Sequence, residues 1–170
     1  KVIVEMTDAA QTYTAYIALG ANLNSPASTL EAALESIAAT EGIELIKRSS
    51  LYRSPPLDAD GPDYINAVAE IRTRLEPLQL LHSLQAIENA FGRERAYRNA
   101  PRTLDLDVLL YDGVNSDSTE LTVPHPRLHL RSFVLMPLIE ISGDMPLVQG
   151  RASALLEAAL ASGQVIQKLL

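Results

Sequence analysis

The chain has no cysteine. Disulfides, thiolate metal sites and cysteine nucleophiles are therefore excluded, and a reducing, cytoplasmic setting is the expectation. No apolar run approaches the ~20 residues of a bilayer span. No positively charged start leads into an apolar core and a cleavage site, so neither a membrane protein nor a signal peptide is expected. Both glycine-rich phosphate signatures, Gly-x-x-x-x-Gly-Lys-Ser/Thr and Gly-x-Gly-x-x-Gly, are missing, so any nucleotide is held without a glycine cradle. Tryptophan is absent as well. There is no internal repeat, low-complexity tract or linker. The net charge of −7 argues against general nucleic-acid affinity.

What is present is a 170-residue chain, 47% apolar, which fits one domain with a sizeable core. Residues 1–12 read as a loose N-terminal extension, with Met6 a candidate start, and residues 13–170 as a single domain. Tyr13 to Leu19 reads as a strand ended by Gly20-Ala21-Asn22. Ser25-Pro26 opens a helix with a hydroxyl cap and a first-turn proline. Leu30, Ala33, Leu34, Ile37 and Ala38 carry it on at helical spacing to a stop at Gly42. Ile43 to Tyr52 is a second strand, Ser54 to Asp63 a proline-rich loop, and Tyr64 to Leu75 a third strand. Pro77 opens a second helix, with Leu78, Leu81, Leu84, Ile87 and Phe91 on its apolar face and Gly92 at its end. Leu104 to Tyr111 is the fourth strand. The order β-α-β-β-α-β is that of a ferredoxin-like α+β core, an antiparallel sheet with two helices on one face. Asp112-Gly113 is a turn, Leu121-Thr122-Val123 a short strand, and Phe133–Ile141 and Ala152–Ala161 are additional C-terminal helices. Pro137 should break or restart the first of these. The added helices would cover the second face of the sheet, giving α/β/α layers.

The run Arg102-Thr103-Leu104-Asp105-Leu106-Asp107-Val108 carries the most chemistry. In a strand, Asp105 and Asp107 share one face roughly 6.6 Å apart, and Leu106 and Val108 point into the opposite layer. Adjacent like charges on an apolar strand repel unless a cation offsets them. Mg²⁺ typically takes one or two carboxylates and fills its other positions with water and phosphate. Just upstream, Arg93, Arg95, Arg98 and Arg102 stand against a single acid, Glu94, with no lysine. Planar guanidinium groups suit bidentate phosphate binding, so the local basic patch on an acidic chain points to a small polyphosphate. Pro124-His125-Pro126-Arg127, with Thr122 and Arg131 nearby, offers a further phosphate or ribose contact. Ser54-Pro55-Pro56-Leu57 would form a rigid wall of backbone groups. Tyr64 would add an aromatic face and Asn66 a paired donor and acceptor, which together suit a flat heterocycle with amide-like edges.

These motifs, in this order, closely resemble the 6-hydroxymethyl-7,8-dihydropterin pyrophosphokinase family of folate biosynthesis. The resemblance is carried by Tyr16-Ile17-Ala18-Leu19-Gly20-Ala21-Asn22-Leu23, Tyr52-Arg53-Ser54-Pro55-Pro56-Leu57, Pro62-Asp63-Tyr64-Ile65-Asn66-Ala67, Ile87-Glu88 and Gly92-Arg93-Glu94-Arg95. It continues through Ala100-Pro101-Arg102-Thr103-Leu104-Asp105-Leu106-Asp107, Val123-Pro124-His125-Pro126-Arg127 and Arg131-Ser132-Phe133-Val134-Leu135, and it spans roughly residues 14 to 142. It implies a single catalytic domain that transfers the terminal diphosphate of ATP to the pterin hydroxymethyl group and releases AMP. By the same resemblance, Asp105 and Asp107 hold two Mg²⁺ ions, and Arg93 and Arg102 stabilise charge on the transferring group. Arg95, His125 and Arg131 contact ATP, with Leu81, Gln85, Val108 and Thr122 shaping its adenosine site. The pterin stacks between Tyr64 and Phe133, and Asn66 with the backbone of Ser54, Pro55, Pro56 and Leu57 reads its edge. Asp107 is also a candidate acceptor of the hydroxyl proton, and the role of Glu88 is open. The family's arginine loop often carries a tryptophan; here Tyr97 and Asn99 occupy that stretch. The implied partners are the two substrates, with no nucleic acid and no membrane, and the protein is expected to be a monomer. Three alternatives stand beside this reading: a ferredoxin-like RNA-binding module, a metal-dependent nuclease or phosphatase using the same carboxylates, and a binding module without catalysis.

Overall fold

The computed structural model describes residues 11–57, 60–92 and 103–169. Most of residues 1–12, expected as a loose extension, lies outside this range, as does the arginine loop with Arg93, Arg95, Arg98 and Arg102.

Strand β1 (Tyr13–Ala21) alternates through its middle, with Ala15, Ile17, Leu19 and Ala21 buried toward one layer and Tyr16 and Ala18 packed in the other. Helix α1 (Pro26–Ala39) follows, then β2 (Ile43–Arg48), β3 (Tyr52–Ser54), β4 (Tyr64–Thr73), α2 (Pro77–Phe91) and β5 (Asp105–Tyr111). The strands form an antiparallel sheet in the order β5-β1-β4, with β2 and β3 sharing the far edge of β4. Leu30, Ala33, Leu34 and Ile37 of α1 and Leu80, Leu84 and Ile87 of α2 close over the first face in one apolar core. Beyond β5 come a small hairpin, β6 (Ser116–Asp117) and β7 (Thr122–Val123), a single 3-10 turn (Leu128–Leu130) and helix α3 (Ser132–Ser142). A second hairpin, β8 (Pro146–Leu147) and β9 (Gly150–Arg151), leads to α4 (Ala152–Ala161) and to β10 (Gln167–Lys168), which pairs with β3. Helix α3 lies on the second face through Val134, Leu138 and Ile141, packed against Val68 and Leu109, and α4 packs against α3. The architecture of the described residues is thus a mixed α+β fold with four helices and an antiparallel sheet.

Several local expectations are corrected. The second strand is two strands, because the chain leaves the ladder after Arg48. Ser49 substitutes for the lost pairing: its amide donates to the Val68 carbonyl, and its Oγ accepts the Val68 amide. Ser25 does not cap α1 with its hydroxyl; it sits in the left-handed region (φ 59°) and its carbonyl accepts the Thr29 amide instead. On α2, Leu78 is exposed and Leu80 takes its place in the core, since Leu80, Leu84 and Ile87 form the stripe that faces the sheet. Pro137 neither breaks nor restarts α3. It removes one helix hydrogen bond, but it is buried in an apolar helix already clamped against the sheet, so tertiary packing overrides the local penalty of about 3 kcal/mol.

Candidate functional site

The second face of the sheet is where polar side chains converge. The strand registers set Asn66 of β4 and Asp105 of β5 opposite Gly20 of β1, and Val68 and Asp107 opposite Ala18. The central strand therefore offers only a glycine and an alanine between two lines of larger side chains. The result is a depression, a cavity of about 270 Å³, whose floor includes Ala18 and Gly20. A Cβ at Gly20 would lie 3.2 Å from Asn66 Nδ2, so the glycine lets the Asn66 amide lie across the floor.

One wall is the end of β3 and the loop that follows, Ser54, Pro55, Pro56 and Leu57, with Tyr64 and Asn66 beside it. Ser54 Oγ donates to Asn66 Oδ1 at 2.8 Å in a buried bond, which orients the amide and leaves Nδ2 without a partner among the described residues. The opposite wall is the start of α3 with the loop before it: Arg131, Phe133, Val134 and His125. The Arg131 guanidinium stands 5.5 Å from the centre of the Phe133 ring, a cation–π geometry. Asp105 and Asp107 border the same cavity, whereas Leu106 and Val108 are buried in the first-face core.

Two devices fix this end of β5. The β1–β5 register shifts between Tyr16 and Ile17, where Leu109 is the extra residue of a bulge. The Leu109 carbonyl is thereby available to accept the His125 amide at 2.9 Å, which ties the Pro124-His125-Pro126 loop to the aspartate strand. On the other side, Glu88 of α2 accepts the Leu106 amide at 2.8 Å, between the two aspartates. The acid whose role was open thus holds the strand that carries both carboxylates.

The electrostatics centre on Arg131 and His125. Burial, then Arg127, disfavours the Arg131 cation, with Asp107 opposing. His125 is pushed below the ordinary histidine range, chiefly by burial and further by Arg131 and Arg127, while Asp107 acts the other way. Its Nδ1 accepts the Arg127 amide at 3.1 Å, which requires an unprotonated Nδ1 and fits the neutral ring. A half-buried guanidinium whose charge is disfavoured by burial and by the neighbouring exposed Arg127 favours an incoming anion. Among the described residues no group of three or more His, Cys, Asp or Glu gathers as a metal site. The donor set is two hard carboxylates, a set that suits Mg²⁺ sharing its remaining positions with water and phosphate.

The structure thus brings together Asp105, Asp107, Ser54, Pro55, Pro56, Leu57, Tyr64, Asn66, His125, Arg131 and Phe133. It does not bring Leu81, Gln85, Val108 and Thr122 into this cavity. They belong to α2, β5 and β7, and α2 and β7 each pack against β5. Val108 is buried, and Thr122 Oγ1 donates to the Ser118 carbonyl. The expected roles of Arg93, Arg95 and Arg102 fall outside the described residues. Sequence reasoning missed the part played by Ala18 and Gly20, although an isolated glycine at a strand end signals close backbone approach.

Residues 16–143 match the family described as 7,8-dihydro-6-hydroxymethylpterin-pyrophosphokinase (HPPK). A 2-amino-4-hydroxy-6-hydroxymethyldihydropteridine pyrophosphokinase of Haemophilus influenzae is 52% identical over 135 residues, 79% of this chain and 84% of that protein. The folic acid synthesis protein fol1 of Pneumocystis carinii is 43% identical over 131 residues, 76% of this chain but 18% of that longer protein. Among solved structures, an HPPK-DHPS triple mutant of Plasmodium falciparum superposes with a TM-score of 0.70 at 14% identity. The match covers 89% of this chain and 45% of that one, and it speaks to the fold.

Proposed function

Because the chain belongs to the HPPK family, we propose that the cavity on its second face is where a pterin alcohol meets the diphosphate of ATP. The protein is an ATP-dependent pyrophosphokinase of folate biosynthesis. It transfers the β,γ-diphosphate of ATP to the hydroxymethyl group of 6-hydroxymethyl-7,8-dihydropterin and releases AMP. The hydroxyl oxygen forms a bond to the β-phosphorus as the bond from that phosphorus to the oxygen bridging to the α-phosphate breaks. The hydroxyl proton is lost.

The observation that carries this reading is the convergence, in one small cavity, of a carboxylate pair and an amide-edged aromatic slot. Asp105 and Asp107 would hold Mg²⁺, which when bound neutralises polyphosphate charge and aligns the reacting oxygens. Arg131 and His125 contact the ATP phosphates from the opposite wall, Arg95 of the arginine loop contacts ATP as well, and Arg93 and Arg102 of that loop stabilise charge on the transferring group. Tyr64 and Phe133 sandwich the pterin. Asn66, its carbonyl oxygen engaged by Ser54, donates from Nδ2 to an acceptor on the heterocycle. Leu81, Gln85, Val108 and Thr122 form the adenosine end along the edge of β5. We read β1 through β5 with α1 and α2 as a ferredoxin-like core, supported by the antiparallel order β5-β1-β4-β2/β3, and residues 13–170 as a single catalytic domain acting as a monomer. The RNA-binding alternative finds no support, because the face that would stack bases carries aspartates and lies partly under α3.

The test is direct. With MgATP and the hydroxymethyl-dihydropterin, AMP and a pterin diphosphate should accumulate in equal amounts. AMP no higher than in a pterin-free control overturns the reading.

A further inference from the structure

The segment after α4 lies beyond the residues matched to the family, yet it fastens the wall that carries Arg131 and Phe133. Arg131 occupies the N-cap position of α3, and no side chain caps the helix from within its own element. The amides of the first turn need partners from elsewhere. Gln164 supplies one: its Oε1 accepts the Ser132 amide at 2.8 Å. Its Nε2 donates to the Leu130 carbonyl at 2.7 Å. A single side-chain amide therefore grips the backbone on both sides of Arg131. Gly163, at φ 105°, makes the turn that returns the chain from α4 to this point, a conformation that favours glycine. The tail then continues into β10, which pairs with β3, and the Leu169 amide donates to the Leu51 carbonyl. Strand β3 ends at Ser54, where the other wall begins.

The hold is selective. Helix α3 is anchored to the sheet through Val134, Leu138 and Ile141, which are buried with Val68 and Leu109 and take no part in the Gln164 hydrogen bonds. Loss of the grip frees only the 3-10 turn and the first helical residues, the segment that aims Arg131 and Phe133 into the cavity.

We propose that Gln164 is a positioning residue for substrate binding, acting through the backbone of Leu130 and Ser132 to set Arg131 and Phe133. The inference rests on the reading that this cavity takes the pterin and the ATP phosphates. It predicts a KM effect: Gln164→Ala raises KM for the pterin and for ATP about fivefold, the scale of one lost cap, with kcat within about twofold of wild type. Gln164→Glu keeps the acceptor for the Ser132 amide and loses the donor, so its KM values fall between the two. Lys168→Ala removes the tail's ion pair with Glu140 (3.9 Å) without touching the start of α3, and its KM values match wild type.

The experiment measures AMP release against each substrate for wild type and the three variants, with thermal melts as the control for folding. A folded Gln164→Ala enzyme with unchanged KM values overturns the proposal, and so do equal rises in Gln164→Ala and Lys168→Ala. If Gln164→Ala does not fold, Gln164→Glu decides, and an unchanged KM there overturns it. Wild type that releases no pterin-dependent AMP overturns the parent reading instead, a result distinct from any of these.

Discussion

The two faces of the sheet are built from the same strands and do opposite work. On the first face, every inward position of β1 is apolar, and α1 and α2 seal its centre: Ile17, Leu30, Ile37, Leu80 and Leu84 have no exposed surface. On the second face, α3 covers only Val68, Leu109 and their neighbours, and the remainder is left open over Ala18 and Gly20. The first face makes the sheet stiff, and the second uses that stiffness to hold Asp105, Asp107 and Asn66 at set positions. Sites built on such rigid elements hold their side chains more tightly than sites built on loops.

This division of labour can be broken from either side. The largest effect is expected at the aspartates. Asp107→Asn should lower kcat on the order of 10³-fold, through lost charge stabilisation, while the melting curve stays near that of wild type. Wild-type turnover with normal metal dependence would also exclude Asp107 as proton acceptor. The mirror experiment is Leu84→Ala on the sealed face. It should remove about 3 kcal/mol of stability in denaturant titration and leave KM and kcat of the folded enzyme unchanged. A smaller effect is expected on the cavity floor. Gly20→Ala sets a methyl 3.2 Å from Asn66 Nδ2, so the amide must shift. KM for the pterin should rise about tenfold with little change in melting temperature, measured by initial rates beside a thermal scan.

The smallest expected effect is in alkali, at the margin of the sealed face. The Tyr111 hydroxyl donates to the Leu75 carbonyl, and its pKa is pushed up to about 12, by burial first and then by Glu76 and Tyr13. Its folded pKa lies above its unfolded value of about 10. Its contribution is therefore complete below pH 10 and disappears as the pH climbs toward 12. Tyr111→Phe should flatten the fall in stability across that window, read by urea titration at stepped pH.

Most of the element order was legible because periodicity is local. The alternation of Tyr13 to Ala21 and the apolar stripes of both early helices declared themselves. So did the carboxylate pair, since two residues on one strand share a face by geometry alone. What escaped depended on distant partners. Ser49 leaves the strand because Val68 offers it two hydrogen bonds. Pro137 stays helical because a sheet lies beneath it. Strand β10 is two residues long and exists through its pairing with β3.

The sequence by itself determined which side chains could do chemistry and how they alternate along each strand, because alternation and helical spacing are properties of the chain's own backbone. It also carried enough motif to identify the family. Only the tertiary structure decided that Gly20 lies between Asn66 and Asp105, that the Leu109 bulge ties down His125, and that Gln164 reaches back to Arg131. Register, bulges and capping from a distant segment are agreements between residues far apart in the chain, and no local pattern encodes them.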